Sequence, residues 1–397
     1  MKTVAPTAVL LFVCVLGVVH AQQSAAGPGA QAFHVADGLF NTSQPDTLGL
    51  AAHPETETLR VFKPGKHDNR FNHGAVVTRF KGKLYVQWQT SKRDEDAPDT
   101  HIVYSTSPDG QGWTRPRQLT QSPPGSMTTS GGWWVHDDEL IAFINVWPSA
   151  GEIAKGGYTL FSSTKNGVDW TIPAPVTDRD GAPVPGIFEQ DPRALADGRI
   201  ISAFHLQPGL IATPFYTDDP RATSGWTRGR FENLPFEGDV SREIEPSWFE
   251  REDGAIVMVF RDQAESFRKL AAVSLDRAEG WSTPVLTNMP DARTKQSAGN
   301  LPDGTAYLVG NPVSSKARYP LVLALSSDGR EFDRAWLLRA GGEAMPAMRF
   351  EGRYKRPGYS YPKSAVIDGW LYVAYATNKE DIELTRGPAG SLYPHGM

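Results

Sequence analysis

One cysteine occurs in 397 residues, Cys14, and it lies inside an apolar stretch near the N-terminus. A chain this poor in thiol excludes a disulfide framework and a thiolate metal centre. Positive charge is not in excess either: 40 Lys and Arg stand against 45 Asp and Glu, a formal net charge of −5. That balance argues against a general affinity for nucleic acid or anionic membranes, so an acidic ligand has to be met by locally placed cations. Long hydrophobic runs are missing too. The apolar segment Val9–Val19 is too short to span a bilayer. With Lys2 before it and Val19-His20-Ala21 behind, it reads as a secretory signal cleaved after Ala21. A secreted or periplasmic protein is expected. Residues 22–45 are small and polar and read as a flexible leader to one domain over 46–397.

What the chain has is punctuation, 38 Gly and 31 Pro, of the kind that separates short strands. A turn running straight into an apolar strand recurs six times. It reads Lys81-Gly82 before KLYVQW, Asp137-Asp138 before ELIAFIN and Asp197-Gly198 before RIISAFH. It recurs as Asp253-Gly254 before AIVMVFR, Asp303-Gly304 before TAYLVGN and Asp368-Gly369 before WLYVAYA. The turn references 82, 138, 198, 254, 304 and 369 lie 50 to 65 residues apart, the period of propeller blades. The fold class expected is all-β, a six-bladed β-propeller.

Most blades carry a second signature further on: Ser107, Asp109 and Trp113; Ser163, Asn166 and Trp170; Thr217, Asp219 and Trp226; Ser274, Asp276 and Trp281; Ser326, Asp328 and Phe332. Short polar side chains fold such a turn by bonding nearby backbone N–H groups, and the aromatic plugs the blade. These Asp-boxes are read as turn staples, not as catalytic aspartates. The last blade lacks the box and needs an outer strand, for which the segment near Thr58–Phe62 is the candidate.

Blade register picks out the pocket. Seven residues past each turn reference stand Gln89, Asn145, His205, Arg261, Asn311 and Ala376. Nine before stand His73, Thr129, Glu189, Glu245, Lys295 and Ser360, with Tyr361 adjoining. Both sets lie at hairpin ends away from the turns, so apolar strands finish in polar and ionisable groups on one concave rim. Glu245 and Arg261 terminate one hairpin and are expected side by side. The polar stretch Lys295–Asn300, with Gly299, reads as irregular backbone near a ligand, and Trp133, Trp134 and Trp147 as a stacking wall for a sugar ring. No metal-ligand spacing stands out and no cofactor is implied.

With these residues in place the chain resembles the sialidase superfamily from about Asn69 to Arg386. The resemblance implies a carboxylate clamp of Arg70, Arg261 and Arg318, with Arg318 lying in NPVSSKARYPLVLALSSDG. It implies a Tyr nucleophile, Tyr361 in GYSYPKS ahead of Tyr359, activated by Glu245. It also implies an acid in KRDEDAPD, Asp96 ahead of Asp94 and Asp99. Lys295, His205 and Asn311 join as substrate contacts, and the partner implied is an acidic glycan. One departure stands out: the family's Ile-Pro after the first Arg is replaced here by Phe71-Asn72-His73-Gly74. That change puts His73 on the rim, where acid–base chemistry is open to it. Propeller enzymes acting on uronate polysaccharides, such as ulvan lyases and rhamnosyl-glucuronate lyases and hydrolases, look similar, so His73 with Tyr361 gives a second reading. A non-catalytic glycan-binding propeller is the third.

Overall fold

The computed structural model describes residues 32–148 and 156–393, and the stretch read as a secretory signal lies outside them. Six antiparallel sheets follow one another along the chain. Blade 1 is Phe71–Phe80, Lys83–Ser91, His101–Ser107 and Arg117–Gln118; blade 2 is Met127–His136, Glu139–Trp147, Tyr158–Thr164 and Ala174–Pro175. Blade 3 splits its inner strand into Gly186–Phe188 and Arg193–Ala194 before Ile200–Leu206, Ile211–Thr217 and Thr227–Arg228. Blade 4 is Glu243–Glu250, Ile256–Asp262, Arg268–Ser274 and Val285–Pro290; blade 5 is Ser297–Asn300, Ala306–Gly310, Leu321–Ser326 and Arg334–Arg339. Blade 6 is Tyr359–Ile367, Trp370–Thr377 and Asp381–Pro388, and its fourth strand is Glu57–Phe62, with Leu59 opposite Leu384. The ring closes as the missing outer strand requires, and no long sheet edge is left open at the seam.

The turns do what their residues dictate. Lys81 and Gly82 have φ of 44° and 78°, and Asp368 and Gly369 have 49° and 78°. Two successive positive φ values are what a two-residue hairpin matching the strand twist needs. The Asp-boxes are staples: Ser107 Oγ accepts Gly110 N–H at 2.8 Å, Asp109 Oδ1 accepts Gln111 N–H at 2.9 Å, and Trp113 Nε1 donates to Gly110 O at 2.8 Å. In blade 2 the hydroxyl is supplied by Thr164, not Ser163, because it is Thr164 Oγ1 that reaches Gly167 N–H at 3.0 Å.

The core lies between blades. Leu59, Val61, Val77, Trp88, Ala374 and Ile382 fill the seam between blades 6 and 1, and each large apolar side chain so buried contributes about 1.5–3 kcal/mol. One expectation is corrected. Residues 32–45, read as the end of a flexible leader, are folded: Ala32, Phe33 and Val35 are buried, and His34–Val35 pairs in parallel with Glu331–Phe332. Phe33 packs edge-on against Phe332 and Phe249, so apolar side chains within a polar stretch suffice to anchor it.

Candidate active site

Because the tight turns sit at one end of each inner hairpin, the opposite ends gather on the other face. There the ladder pairs His73 with Gln89, Thr129 with Asn145, Ile187 with His205, Ile244 with Arg261 and Ser360 with Ala376. In blades 1, 4 and 6 the inner strand bulges just beyond this row. The first bulge residue is Gly74, Glu245 and Tyr361 respectively, with φ of 67°, 55° and 56°. Glycine takes this left-handed conformation freely, whereas any other residue loses about 1–2 kcal/mol. Two of three equivalent positions accept that strain, and both carry an ionisable side chain turned out of the pleat.

Glu245 is held at both ends of its residue. Its N–H donates to His205 Nε2 at 3.0 Å, and its carbonyl accepts Gln296 Nε2 at 2.8 Å. His205 Nδ1 lies 3.4 Å from Glu189 Oε1, which fixes the tautomer that leaves Nε2 as acceptor. The Tyr361 hydroxyl donates a short hydrogen bond to Glu245 Oε1. Arg261 Nη1 donates to Glu245 Oε2 at 3.2 Å and lies 3.5 Å from the Tyr361 oxygen. Around the Tyr361 ring centre stand the Arg318 guanidinium at 5.2 Å, the Lys295 ammonium at 5.7 Å and the His73 ring at 4.3 Å.

Burial alone would raise the Glu245 carboxyl, but Arg261, Lys295, the Tyr361 hydrogen bond and Arg318 outweigh it and hold the group at about 2. Tyr361 is pushed up, first by burial and then by the Glu245 charge, with Arg261 and Arg318 opposing only in part. The shared proton therefore rests on the tyrosine, beside a carboxylate ready to take it. Asp96 is raised to about 6 by burial and by Glu95, against Lys379 and Arg353. His73, 1% exposed, is held well below 6.5 by burial and by Lys379, Arg318 and Lys295. It is a neutral imidazole with neither ring nitrogen hydrogen-bonded among the described residues, Nε2 standing 3.9 Å from Glu95 Oε1.

His205 is also depressed, again first by burial. A histidine with a lowered folded-state pKa stabilises the fold above the unfolded value near 6.5 and loses that contribution as pH falls. Acidification from about pH 7 towards pH 5 should therefore lower the melting temperature. His205→Gln, which keeps an acceptor but does not titrate, should flatten that decline in a pH series of thermal melts.

His73, Asp96, His205, Glu245, Lys295 and Tyr361 line one cavity of about 220 Å³. Asp94 and Asp99 do not line it: Asp94 accepts Arg353 N–H at 2.7 Å and Asp99 accepts Lys92 N–H at 2.9 Å, both as loop staples. Tyr359 is likewise engaged elsewhere, its hydroxyl on Ala340 O at 2.9 Å. Lys295 faces Tyr361 but is neutralised by Glu189 Oε2 at 2.7 Å. Four expected contacts are absent from the cavity lining: Arg261 and Arg318, which pack against Tyr361, and Arg70 and Asn311, which do not. Arg70 is exposed, with its guanidinium 5.0 Å from the centre of the Phe350 ring. Asn311 is buried and donates to Pro320 O at 3.0 Å, bracing the loop that leads to the third strand of blade 5. Gly299 and Asn300 are structural: a Cβ at Gly299 would meet the Tyr307 hydroxyl at 2.5 Å, and Asn300 bonds the Glu250 backbone. Of the aromatic wall only Trp147 lines this cavity; Trp133 is buried and bonds Val76 O, and Trp134 bonds Pro220 O.

Sequence reading missed Glu95, Lys379, Gln190 and Asp191. Glu95 lines the cavity and is paired by the buried Lys379, whose own pKa burial lowers to about 8. Glu189, Gln190 and Asp191 leave the ladder where the inner strand of blade 3 breaks, and they meet Lys295 and Lys363. Register did reach Glu189, but nothing in the residue string marks the break. A larger groove of about 530 Å³ between the closing strand and blade 1 contains none of the candidate residues.

Residues 82–373 match the family described as BNR repeat-like domain. No curated protein matches the chain in sequence. Among solved structures, one titled sialidase is 20% identical at a TM-score of 0.65, over 90% of this chain and 35% of its own. A protein of unknown function from Dyadobacter fermentans is 16% identical at 0.62, over 84% of this chain and 99% of its own. Trypanosoma rangeli sialidase in complex with sialic acid is 14% identical at 0.58, over 85% of this chain and 60% of its own. The chain thus spans about a third of the first of these and under two thirds of the third. At such identities the likeness establishes the shared propeller fold.

Proposed function

We propose, for a chain that belongs to the BNR repeat-like domain family, an exported enzyme that hydrolyses a terminal acidic sugar, as sialidases do. The observation that carries this reading is the Tyr361–Glu245 hydrogen bond, braced by Arg261 in a cavity that also holds Asp96. Glu245 accepts the phenolic proton as the Tyr361 oxygen bonds to the anomeric carbon, and the glycosidic carbon–oxygen bond breaks with the Asp96 proton passing to the leaving oxygen. Water then reverses the sequence. Its oxygen bonds the anomeric carbon, its proton goes to Asp96, the carbon–Tyr361 bond breaks and Glu245 returns its proton. Two displacements retain the anomeric configuration, and a tyrosine nucleophile is a known exception to the paired-carboxylate scheme. Arg261 and Arg318 favour a substrate carboxylate near Tyr361.

A second reading draws on His73, whose neutral and unpartnered imidazole can accept a proton from the carbon next to a uronate carboxylate. Product analysis separates the two. With a 4-methylumbelliferyl sialoside, a 4-methylumbelliferyl glucuronide and a uronate-rich polysaccharide, the hydrolase releases free acidic sugar of retained configuration by NMR. An unsaturated uronate absorbing in the near-ultraviolet would replace the hydrolase with the lyase, and no product from any substrate would leave the glycan-binding propeller.

A further inference from the structure

Most cations around Tyr361 have an anion of their own: Arg261 has Glu245, Lys295 has Glu189, Lys379 has Glu95 and Lys363 has Asp191. Two do not. Arg318 is 4% exposed; its Nη1 donates to Ser360 Oγ at 3.0 Å and its Nε has no hydrogen-bond partner. Arg356 is half-buried and enters no ion pair or hydrogen bond among the described residues. We infer that Arg356 and Arg318 together form the carboxylate-binding face of the site, and that Arg70 takes no part in it. The inference deepens the hydrolase reading and rests on it for the class of substrate.

The backbone on both sides of Arg356 is fixed while its side chain is left uncommitted. Upstream, Lys355 Nζ donates to Glu380 Oε1 at 3.2 Å and to Arg70 O at 3.0 Å. Downstream, Gly358 forms a parallel bridge with Arg318, and Tyr359 N–H donates to Arg318 O at 2.7 Å. Gly358 has φ of 121°, and a Cβ there would stand 2.5 Å from Arg318 O, so the chain passes hard against Arg318 at this point. Arg356 is thereby carried to the neighbourhood of Arg318. Its guanidinium is destabilised by burial and by Arg318 and Arg261, and the carboxylate that opposes them, Glu95, is already paired with Lys379. Two guanidinium groups kept together without a counter-ion in a partly dry place repel each other, and an entering anion relieves both. A planar carboxylate matches their donor geometry in a way that one ammonium does not. Since Arg318 lies 5.2 Å from the Tyr361 ring, the carboxylate it meets belongs on or next to the carbon that Tyr361 attacks. Arg70 contributes its carbonyl to Lys355 and its guanidinium to Phe350, and so supports the loop from outside.

The test is binding of N-acetylneuraminate and of its methyl ester, by titration calorimetry, to native protein and to the Arg356→Ala, Arg356→Gln, Arg356→Lys and Arg70→Ala variants, with thermal melts as a check on folding. Arg356→Ala and Arg356→Gln should weaken the acid by about 10- to 100-fold and the ester by no more than about twofold, with Arg356→Lys between. Arg70→Ala should stay within about twofold of native. Equal losses for acid and ester, native-like binding by Arg356→Ala, or an equal loss in Arg70→Ala would overturn the inference. Native protein that binds neither sugar would overturn it together with the sialic-acid reading. Native protein that binds the acid through Arg356 yet releases no sugar from the sialoside would support the clamp and refute hydrolysis alone.

Discussion

Tyr361→Phe is expected to lower kcat on an acidic glycoside by roughly 10³- to 10⁴-fold or more, while binding of the free sugar changes only a few-fold. The phenyl ring remains between Arg318, Lys295 and His73, so the pocket keeps its shape and only the bond-forming oxygen is lost. Glu245→Gln should do comparable damage for a different reason. The amide keeps a hydrogen-bonding group beside Arg261 and Tyr361 but cannot take the phenolic proton, and burial holds that proton tightly. Since the two side chains act as one unit, the double variant should be little worse than either single one. Steady-state kinetics on the sialoside check this. Losses that multiply in the double variant, or a Tyr361→Phe enzyme within tenfold of native, would end the nucleophile assignment.

The propeller was legible because its signals are local and repeated. Asp-Gly turns, period-two apolar strands and Ser/Thr–Asp boxes each report on a few neighbouring residues, and six copies correct one another. The pairing of Glu245 with Arg261 was legible for a similar reason, since both end one hairpin; the ladder sets Ile244 opposite Arg261, and the bulge that follows leaves Glu245 within ion-pair reach. Tyr361 was harder. Counting back from the turn lands on Ser360, and only the bulge between Ser360 and Lys363 swings the next residue into the cavity. Bulges leave no mark in the residue string when the left-handed position is not glycine, and Glu245 and Tyr361 are two such cases. Arg70 misled because a family pattern located it by order along the chain, whereas its direction is set by Phe350 from the loop ahead of blade 6. Arg356 and the Glu95–Lys379 pair went unseen because they come from loops 284 residues apart or from a segment with no periodicity. The same holds for residues 32–45, where three buried apolar side chains decided the matter against a polar average.

Asp96→Asn should lower turnover of a natural oligosaccharide by about 10²- to 10⁴-fold, yet cost much less on a 4-methylumbelliferyl glycoside, whose leaving group departs without a proton. The acid works only while protonated. With Asp96 raised to about 6, turnover of the natural substrate should fall as pH rises through that value, and the limb should vanish in Asp96→Asn. Its position is open to adjustment by two neighbours of opposite sign. The Glu95 charge disfavours an ionised Asp96, so Glu95→Gln lets Asp96 ionise more readily and moves the limb to lower pH. Arg353 favours the ionised form, so Arg353→Ala moves the limb to higher pH. General destabilisation of the loop would shift both variants the same way, which makes opposite displacements diagnostic of the charge at position 96. Equal losses of Asp96→Asn on good and poor leaving groups would instead transfer the proton-donor role to Glu95, the other carboxyl lining that wall.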